Sequence, residues 1–498
     1  MVTTSSLMRI AGALMAIVMA GCASVAPRSE IPGATDRHLV GVQPSPAAAE
    51  AGVVQGLPKR TWWQAFADPS LNALIKLALR NNHDLKAALA AVDEARAMAG
   101  AARREALPAG GLEAKAERSR LSAIEADPYR QGNPRPPSSE LLNAGQYLSW
   151  EIDLFGRIGT ATAMAERQAD AVQADARATA TLLQGEVARH YFEMRRNQQA
   201  LRSLGTETDL LERRAAKMGA RYEAGLVDRR AMLAAVGDHA RRVAEKAQTE
   251  AALHGEVAAL AVLVGRSPTS SDGSWEALIA PAPLPDAPDL ATLTQPTDLL
   301  ARRPDVARAD ALLRASLGNV VLAERAHLPR LSLNLFGGVL GPFGTLGDSS
   351  AQRYAAGPAL QWEWLDFGRR SAREAAARAG SEAAWHKFEQ TVLTALQESE
   401  TSLREWSGSR SVWEEAQRSE SAARRSADYA STRVAAGLEP PTTVLEQQIA
   451  YEQTHREAVA AQARLLQAHV QVQLALGAWQ PDDAYTTVQG DSASRSKQ

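Results

Sequence analysis

The chain has 498 residues, and its charge is high but balanced, at a formal net of −2. That balance gives no basic face for nucleic acid or another polyanion. A single cysteine, Cys22, excludes an internal disulfide, so packing or oligomerisation must hold the folded chain.

At the N-terminus Arg9 precedes an apolar run, Ile10 to Ala20, that ends Met19-Ala20-Gly21-Cys22. The run is too short to span a bilayer and fits a signal-peptide core. The stretch resembles a bacterial lipoprotein lipobox. That implies a signal peptide over 1–21 and acylation of Cys22, each buried CH₂ adding roughly 0.8 kcal/mol of anchoring. Ala23 is not the Asp that suggests inner-membrane retention in enterobacterial lipoproteins. The mature chain is therefore expected to start at Cys22 and to face the periplasm, with 22–60 a lipidated strap rich in Ala, Pro and Gly.

Residues 61–107 read as helices. Asp68-Pro69 opens the first, with apolar Leu71, Leu74, Ile75 and Ala78; a second covers about Asp84 to Ala106 and stops at Leu107-Pro108. From 108 to 156 the period changes to 2. Leu148, Trp150, Ile152 and Leu154 alternate with Tyr147, Ser149, Glu151 and Asp153, so one face is apolar and the other polar. Asp127 to Pro137, rich in Pro, Gly and Arg, is expected to be the loop between two strands.

Residues 157–265 contain no proline. Apolar or small residues recur every three or four positions: Leu183, Val187, His190, Met194, Asn197, Leu201, Leu204, Thr208, Leu211, Ala215, Met218 and Tyr222. This is the repeat of a helix wrapped on another helix. At 1.5 Å per residue, some 60 helical residues reach about 90 Å. Gly225, in Arg221-Tyr222-Glu223-Ala224-Gly225-Leu226, supplies the helix stop. The stretch is a long antiparallel helical hairpin.

Residues 266–298 form a Pro-, Ser- and Asp-rich linker, and then the plan repeats. A helix occupies 299–328, a strand pair 329–368 and a second hairpin 369–477, before a polar tail at 478–498. Leu331, Leu333 and Leu335 mark one strand, Gly337 to Gly347 a loop, and Leu360, Trp362 and Trp364, alternating with Gln361 and Glu363, the last strand. The second hairpin turns at Arg433-Val434-Ala435-Ala436-Gly437-Leu438, so Gly225 and Gly437 lie 212 positions apart.

Each chain then carries four strands of membrane type, with Leu148, Trp150, Ile152, Leu360, Trp362 and Trp364 toward lipid and Glu151, Asp153, Gln361 and Glu363 toward a lumen. An open four-stranded sheet cannot sit in lipid, because its edge amides go unpaired at several kcal/mol each. Two chains give a narrow plugged barrel and three a twelve-stranded one. A soluble hairpin packed on helices would also place the acids in water.

The chain resembles the TolC superfamily of outer-membrane efflux factors, in its lipoprotein (OprM/NodT-type) branch. The resemblance rests on Trp62-Trp63, Phe66, Asp68-Pro69 and Leu71, on Asn81-Asn82-His83-Asp84-Leu85, and on Leu299-Leu300-Ala301-Arg302-Arg303-Pro304-Asp305-Val306. It rests also on the paired Arg-x-x-x-Gly-Leu turns and the Phe-Gly-Arg strand ends, and it covers essentially the mature chain. It implies a mixed α and β membrane protein: a homotrimer with a twelve-stranded outer-membrane β-barrel, continued by a coiled-coil helical barrel, with a two-fold internal repeat. It further implies a passive exit duct for small molecules, joined by a periplasmic adaptor (membrane fusion protein) to an inner-membrane transporter. The tips that meet the adaptor are then Arg221, Gly225, Leu226, Arg433, Gly437 and Leu438. Glu446 resembles an acidic gate position, although 212 residues earlier stands Ala234, and Pro440-Pro441 follows the second turn.

No catalytic or metal-ligating spacing appears. The nine histidines are scattered, no His-Glu-x-x-His occurs, and the loop from Gly337 lacks the Gly-Lys-Ser/Thr of a phosphate loop. No enzyme and no cofactor are expected. The competing classes are a protein-secretion duct, an adaptor lipoprotein with one hairpin, and a structural coiled-coil lipoprotein; the last leaves four alternating strands unexplained.

Overall fold

In a computed structural model of the chain, residues 61–120 and 138–477 are described, save 271, 289, 293–302, 343 and 345–346, together with 54, 55, 122, 125 and 129. The lipobox and Cys22, the strap up to 53, most of the loop at 127–137, Leu299 to Arg302 and the tail from 478 lie outside the described residues.

A 3₁₀ turn over Trp62–Phe66 leads into α1 (Pro69–Asn81) and α2 (His83–Arg104). Strands β1 (Ala109–Ser119) and β2 (Ser139–Ile152) follow, then α3 (Arg157–Glu223) and α4 (Arg229–Leu263). The expected linker contains a short helix, α5 (Gly273–Ile279). Next come α6 (Pro304–Arg325), β3 (Arg330–Gly341), β4 (Gln352–Gln361), α7 (Arg369–Ala435) and α8 (Pro441–Ala475). The two hairpins have equal arms: 67 and 35 residues in each. Val54–Gln55 also pairs in parallel with Ala291–Thr292.

Three strand boundaries differ from the sequence reading. β2 begins at Ser139, well before the clear alternation at Gln146. β3 runs through Gly337 and Gly338 to Gly341, where a loop was expected. Gly338 belongs there because a Cβ would stand 2.3 Å from the Ala144 carbonyl oxygen of β2. β4 ends at Gln361, so Trp362, Glu363 and Trp364 follow the strand rather than form it. The aromatic alternation carried the assignment too far, while the true strand, Gln352–Gln361, is rich in Ala and carries Gly357 and Pro358.

The chain divides into two compact units. The first comprises residues 93–171 and 310–387 and holds the sheet, in the order β1-β2-β3-β4, all antiparallel. Trp150 faces Leu333 and Leu331 faces Leu360 across it. Pro358, which has no amide to donate, sits on the edge strand β4, where it is tolerated. Each outer strand pairs on one side alone among the described residues. Nearly all of β1 and β4 is exposed on both faces.

The second unit comprises, among the described residues, 61–92, 172–292, 303–309 and 388–477, and holds the main core. Trp62, Trp63 and Phe66 are buried against α1 residues Leu71, Leu74 and Ile75 and α3 residues Leu183, Val187, Tyr191 and Phe192. Each such side chain contributes about 1.5–3 kcal/mol. Of the seam read in the sequence, Leu183, Val187, Met194, Asn197, Leu204 and Leu211 are buried and His190, Leu201 and Thr208 half-buried, and it thins to 40% exposed at Tyr222.

Polar side chains fix how these helices register. Glu207 of α3 is fully buried between Arg242 of α4, at 3.1 Å, and Arg456 of α8, at 2.5 Å. Gln453 Nε2 donates to the same carboxylate at 3.1 Å. Arg195, 1% exposed, gives hydrogen bonds to the Leu278 and Ala280 carbonyls at the end of α5 and lies 4.7 Å from the Tyr191 ring centre. Tyr191 in turn donates to Asp68 at 2.6 Å.

Two capping contacts close the returning helices. Asn82 Nδ2 donates to the Leu263 carbonyl, the last of α4, at 3.1 Å, while its Oδ1 accepts from Leu85 N at 2.9 Å. Arg303 Nη1 donates to the Ala475 carbonyl, the last of α8, at 3.0 Å, and its other donors bind Asp305 and Glu398. Terminal helix carbonyls have no partner within the helix, so these bonds supply what the backbone lacks. Asn82→Ala and Arg303→Met are each expected to cost about 1–3 kcal/mol, as buried hydrogen bonds are lost; thermal unfolding of the purified protein checks this.

His469 of α8 is 1% exposed, 5.2 Å from the Phe66 ring, and burial pushes its imidazole down to about 4. Above pH 6.5 both folded and unfolded states hold it neutral. Between 6.5 and 4 only the unfolded chain binds the proton, so stability falls with pH by up to about 3 kcal/mol. His469→Leu is expected to flatten that part of the stability profile, read as unfolding midpoints at pH 7.5 and pH 5.

Candidate functional site

Both hairpin turns are built by the backbone alone. At the first, Gly225 N donates to Tyr222 O at 2.9 Å and Leu226 N to Arg221 O at 2.8 Å. At the second, Gly437 N donates to Val434 O at 3.0 Å and Leu438 N to Arg433 O at 2.9 Å. This pair of bonds is the Schellman closure, which needs one residue at positive φ. Gly225 stands at +70° and Gly437 at +72°. A Cβ on either would meet nothing within 4 Å, so glycine is needed for backbone conformation and not for space.

The residue after a Schellman glycine commonly packs back on its helix. Here Leu226 is 68% exposed and Leu438 66%. Each turn thus offers a protruding leucine that its own fold leaves in water.

The two turns differ in charge. Arg433 Nε donates to Glu439 across the second turn at 2.6 Å. At the first, the position matching Glu439 is Val227, and among the described residues Arg221 forms no ion pair. Asp228 caps α4 by accepting from Ala231 N at 2.8 Å, whereas α8 starts at Pro440-Pro441 with no side-chain cap. Glu446 is exposed on α8, as Ala234 is on α4. The sequence reading did not single out Glu439, although an acid six residues after an arginine across a tight turn was visible in it.

At the strand-to-helix junctions the acids have local tasks. Glu151 forms a two-bonded ion pair with Arg157, at 2.8 and 2.9 Å. Asp153 accepts from Ile158 N and Gly159 N and so caps α3. In the second half Asp366 caps α7 through Gly368 N and Arg370 N. It stands one residue nearer its helix than Asp153 does. The chain absorbs the missing residue by putting Phe367, at φ 50°, as well as Gly368 in the left-handed region. For a bulky residue that is a strained conformation.

The apolar residues expected to face lipid are all at least 37% exposed: Leu148, Trp150, Ile152, Leu360, Trp362 and Trp364. Gln361 and Glu363 are exposed too. Trp150 Nε1 donates to Ala106 O and Trp362 Nε1 to His327 O, each at 2.9 Å, so both indoles tie the strand ends to the ends of α2 and α6.

The family model for outer membrane efflux proteins matches residues 74–266 and 296–478. The chain is 31% identical over 454 residues to the pyoverdine export outer membrane protein OpmQ of Pseudomonas putida, covering 88% of this chain and 92% of that one. It is 30% identical over 389 residues to the fusaric acid resistance protein FusA of Burkholderia cepacia, covering 76% and 70%. Among solved structures, the outer-membrane channel OprN superposes with a TM-score of 0.77 at 26% identity, over 90% of this chain and 99% of that one. The chain belongs to the outer membrane efflux protein family, and it is an outer-membrane exit duct of the efflux kind rather than an enzyme.

Proposed function

We propose that the duct is a homotrimer in which three four-stranded sheets close into one twelve-stranded barrel. The observation that carries this reading is the sheet itself. Its outer strands β1 and β4 each have an unpaired edge among the described residues, and both faces are open. In a bilayer such edges cost several kcal/mol per unpaired group, and only closure removes them. On this reading Leu148, Trp150, Ile152, Leu360, Trp362 and Trp364 meet outer-membrane lipid. Glu151, Asp153, Gln361 and Glu363 meet the lumen. The equal hairpin arms and the 212-residue spacing of their glycines support a two-fold internal repeat. Acylation of Cys22 anchors the mature chain.

The hairpin turns are the periplasmic tips, and the exposed Leu226 and Leu438 dock a periplasmic adaptor. Energy comes from an inner-membrane transporter. Glu446 narrows the periplasmic end. The cargo is small molecules, in keeping with relatives named for pyoverdine export and fusaric acid resistance.

Two measurements bear on this. The detergent-corrected mass of the mature protein is expected at about three chain masses; a water-soluble monomer after Cys22→Ser would refute the barrel. Gly225→Asp and Leu438→Asp are expected to abolish export in cells that carry the complete pump while trimers still form. Export at the unsubstituted level would remove the docking role from these turns.

A further inference from the structure

The two turns share a backbone and differ in charge. Residues 213–230 carry six cations (Arg213, Arg214, Lys217, Arg221, Arg229 and Arg230) against Glu223 and Asp228, a net of +4. The matching residues 425–442 carry Arg425 and Arg433 against Asp428 and Glu439, a net of zero.

Pairing leaves most of the contrast in place, although Arg214 is taken by Asp238 of α4 at 3.4 Å. Arg433 is held by Glu439 across its turn, and that carboxylate is only 28% exposed. At the first turn Asp228 takes Arg230 at 3.2 Å, and its other oxygen caps α4. Arg230 is nonetheless 94% exposed. Arg221 and Arg229 are exposed, and among the described residues neither forms an ion pair. A leucine of similar exposure stands at the centre of each turn.

We propose that the first turn docks an acidic surface on the end of a helical periplasmic partner, whereas the second, neutralised by its own Arg433–Glu439 pair, offers apolar contact alone. The inference rests on the reading that the turns are docking tips and adds the chemistry of what they meet. Exposed charges at the rim of an interface set encounter rate and partner choice more than final affinity, and salt screens them within about 10 Å at 0.1 M. Two kinds of tip on one chain thus let a partner with one acidic and one neutral contact find a single orientation.

The test uses the full-length protein in detergent and three synthetic two-helix hairpins whose turns are flanked by four Glu, four Gln or four Lys. Binding is followed by fluorescence anisotropy at 25 and 300 mM NaCl. At low salt the Glu-tipped hairpin is expected to bind at least tenfold tighter than the Gln-tipped one, with most of that preference gone at high salt. Arg221→Gln with Arg229→Gln and Arg230→Gln removes the preference, and Arg433→Gln leaves it. Glu439→Gln, which releases Arg433, strengthens binding of the Glu-tipped hairpin. Equal binding of the three hairpins, or equal loss from substitutions at either turn, overturns the proposal. Leu226→Ser with Leu438→Ser separates it from the docking reading. If the leucine pair weakens every hairpin and charge has no effect, docking stands and the charge assignment falls. If the leucine pair changes nothing, the turns are not docking tips and both fall.

Discussion

Long helices have one expensive place, their ends, and this fold depends on how two of those ends are closed. The carbonyl of Leu263 is met by Asn82 and that of Ala475 by Arg303. Both donors sit where one helix stops or another starts: Asn82 between α1 and α2, Arg303 just before α6. One side chain therefore ends a 35-residue helix and sets the start of a shorter one. Without that contact the return arm has no fixed stopping point against its neighbours, since a coiled-coil seam repeats and is satisfied in more than one register. The buried Glu207, bound by Arg242 and Arg456, adds a second point of registry further along. A lone buried acid would be very costly, so only the alignment that brings both guanidiniums to it is stable.

Periodicity made the helices and their turns readable. The 3.5-residue seam, the proline-free run and the glycine after it are local signals, and local backbone energetics decides them. The same holds for Leu71, Leu74, Ile75 and Ala78 on α1, which are buried as their spacing required. The strands were less legible. The alternating Trp and Leu residues after Gln361 look like a strand, yet pairing with β3 ends there. Conversely, Gly337 and Gly338 look like a loop but lie in β3, because the close approach of β2 leaves no room for a Cβ at Gly338. Pairing is non-local, and nothing in a single stretch announces it.

The candidate site was half legible. The Gly-Leu turns could be placed from the sequence because a positive φ narrows the residue choice to glycine. The Asn82 and Arg303 motifs were visible as motifs, but their purpose was not. The carbonyls they bind lie 181 and 172 residues away in the chain. Nor did the matched Phe-Gly-Arg phrases disclose that Phe367, unlike Phe155, is forced into the left-handed region. That follows from a one-residue shift of the capping acid, a detail of register rather than of composition.

The hairpin turns have a property with evolutionary weight. Their shape comes from two main-chain hydrogen bonds and one glycine, and among the described residues nothing beyond the glycine's own chain neighbours lies within 4 Å of where its side chain would begin. Apart from Asp228, which caps α4, and the Arg433–Glu439 pair, the neighbouring side chains therefore contribute little to folding. Selection can exchange them one at a time without a stability threshold standing in the way. Grafting experiments gain the same freedom: short segments around Leu226 or Leu438 are exchangeable cassettes that can be replaced while the core around Trp62 and Tyr191 stays unchanged.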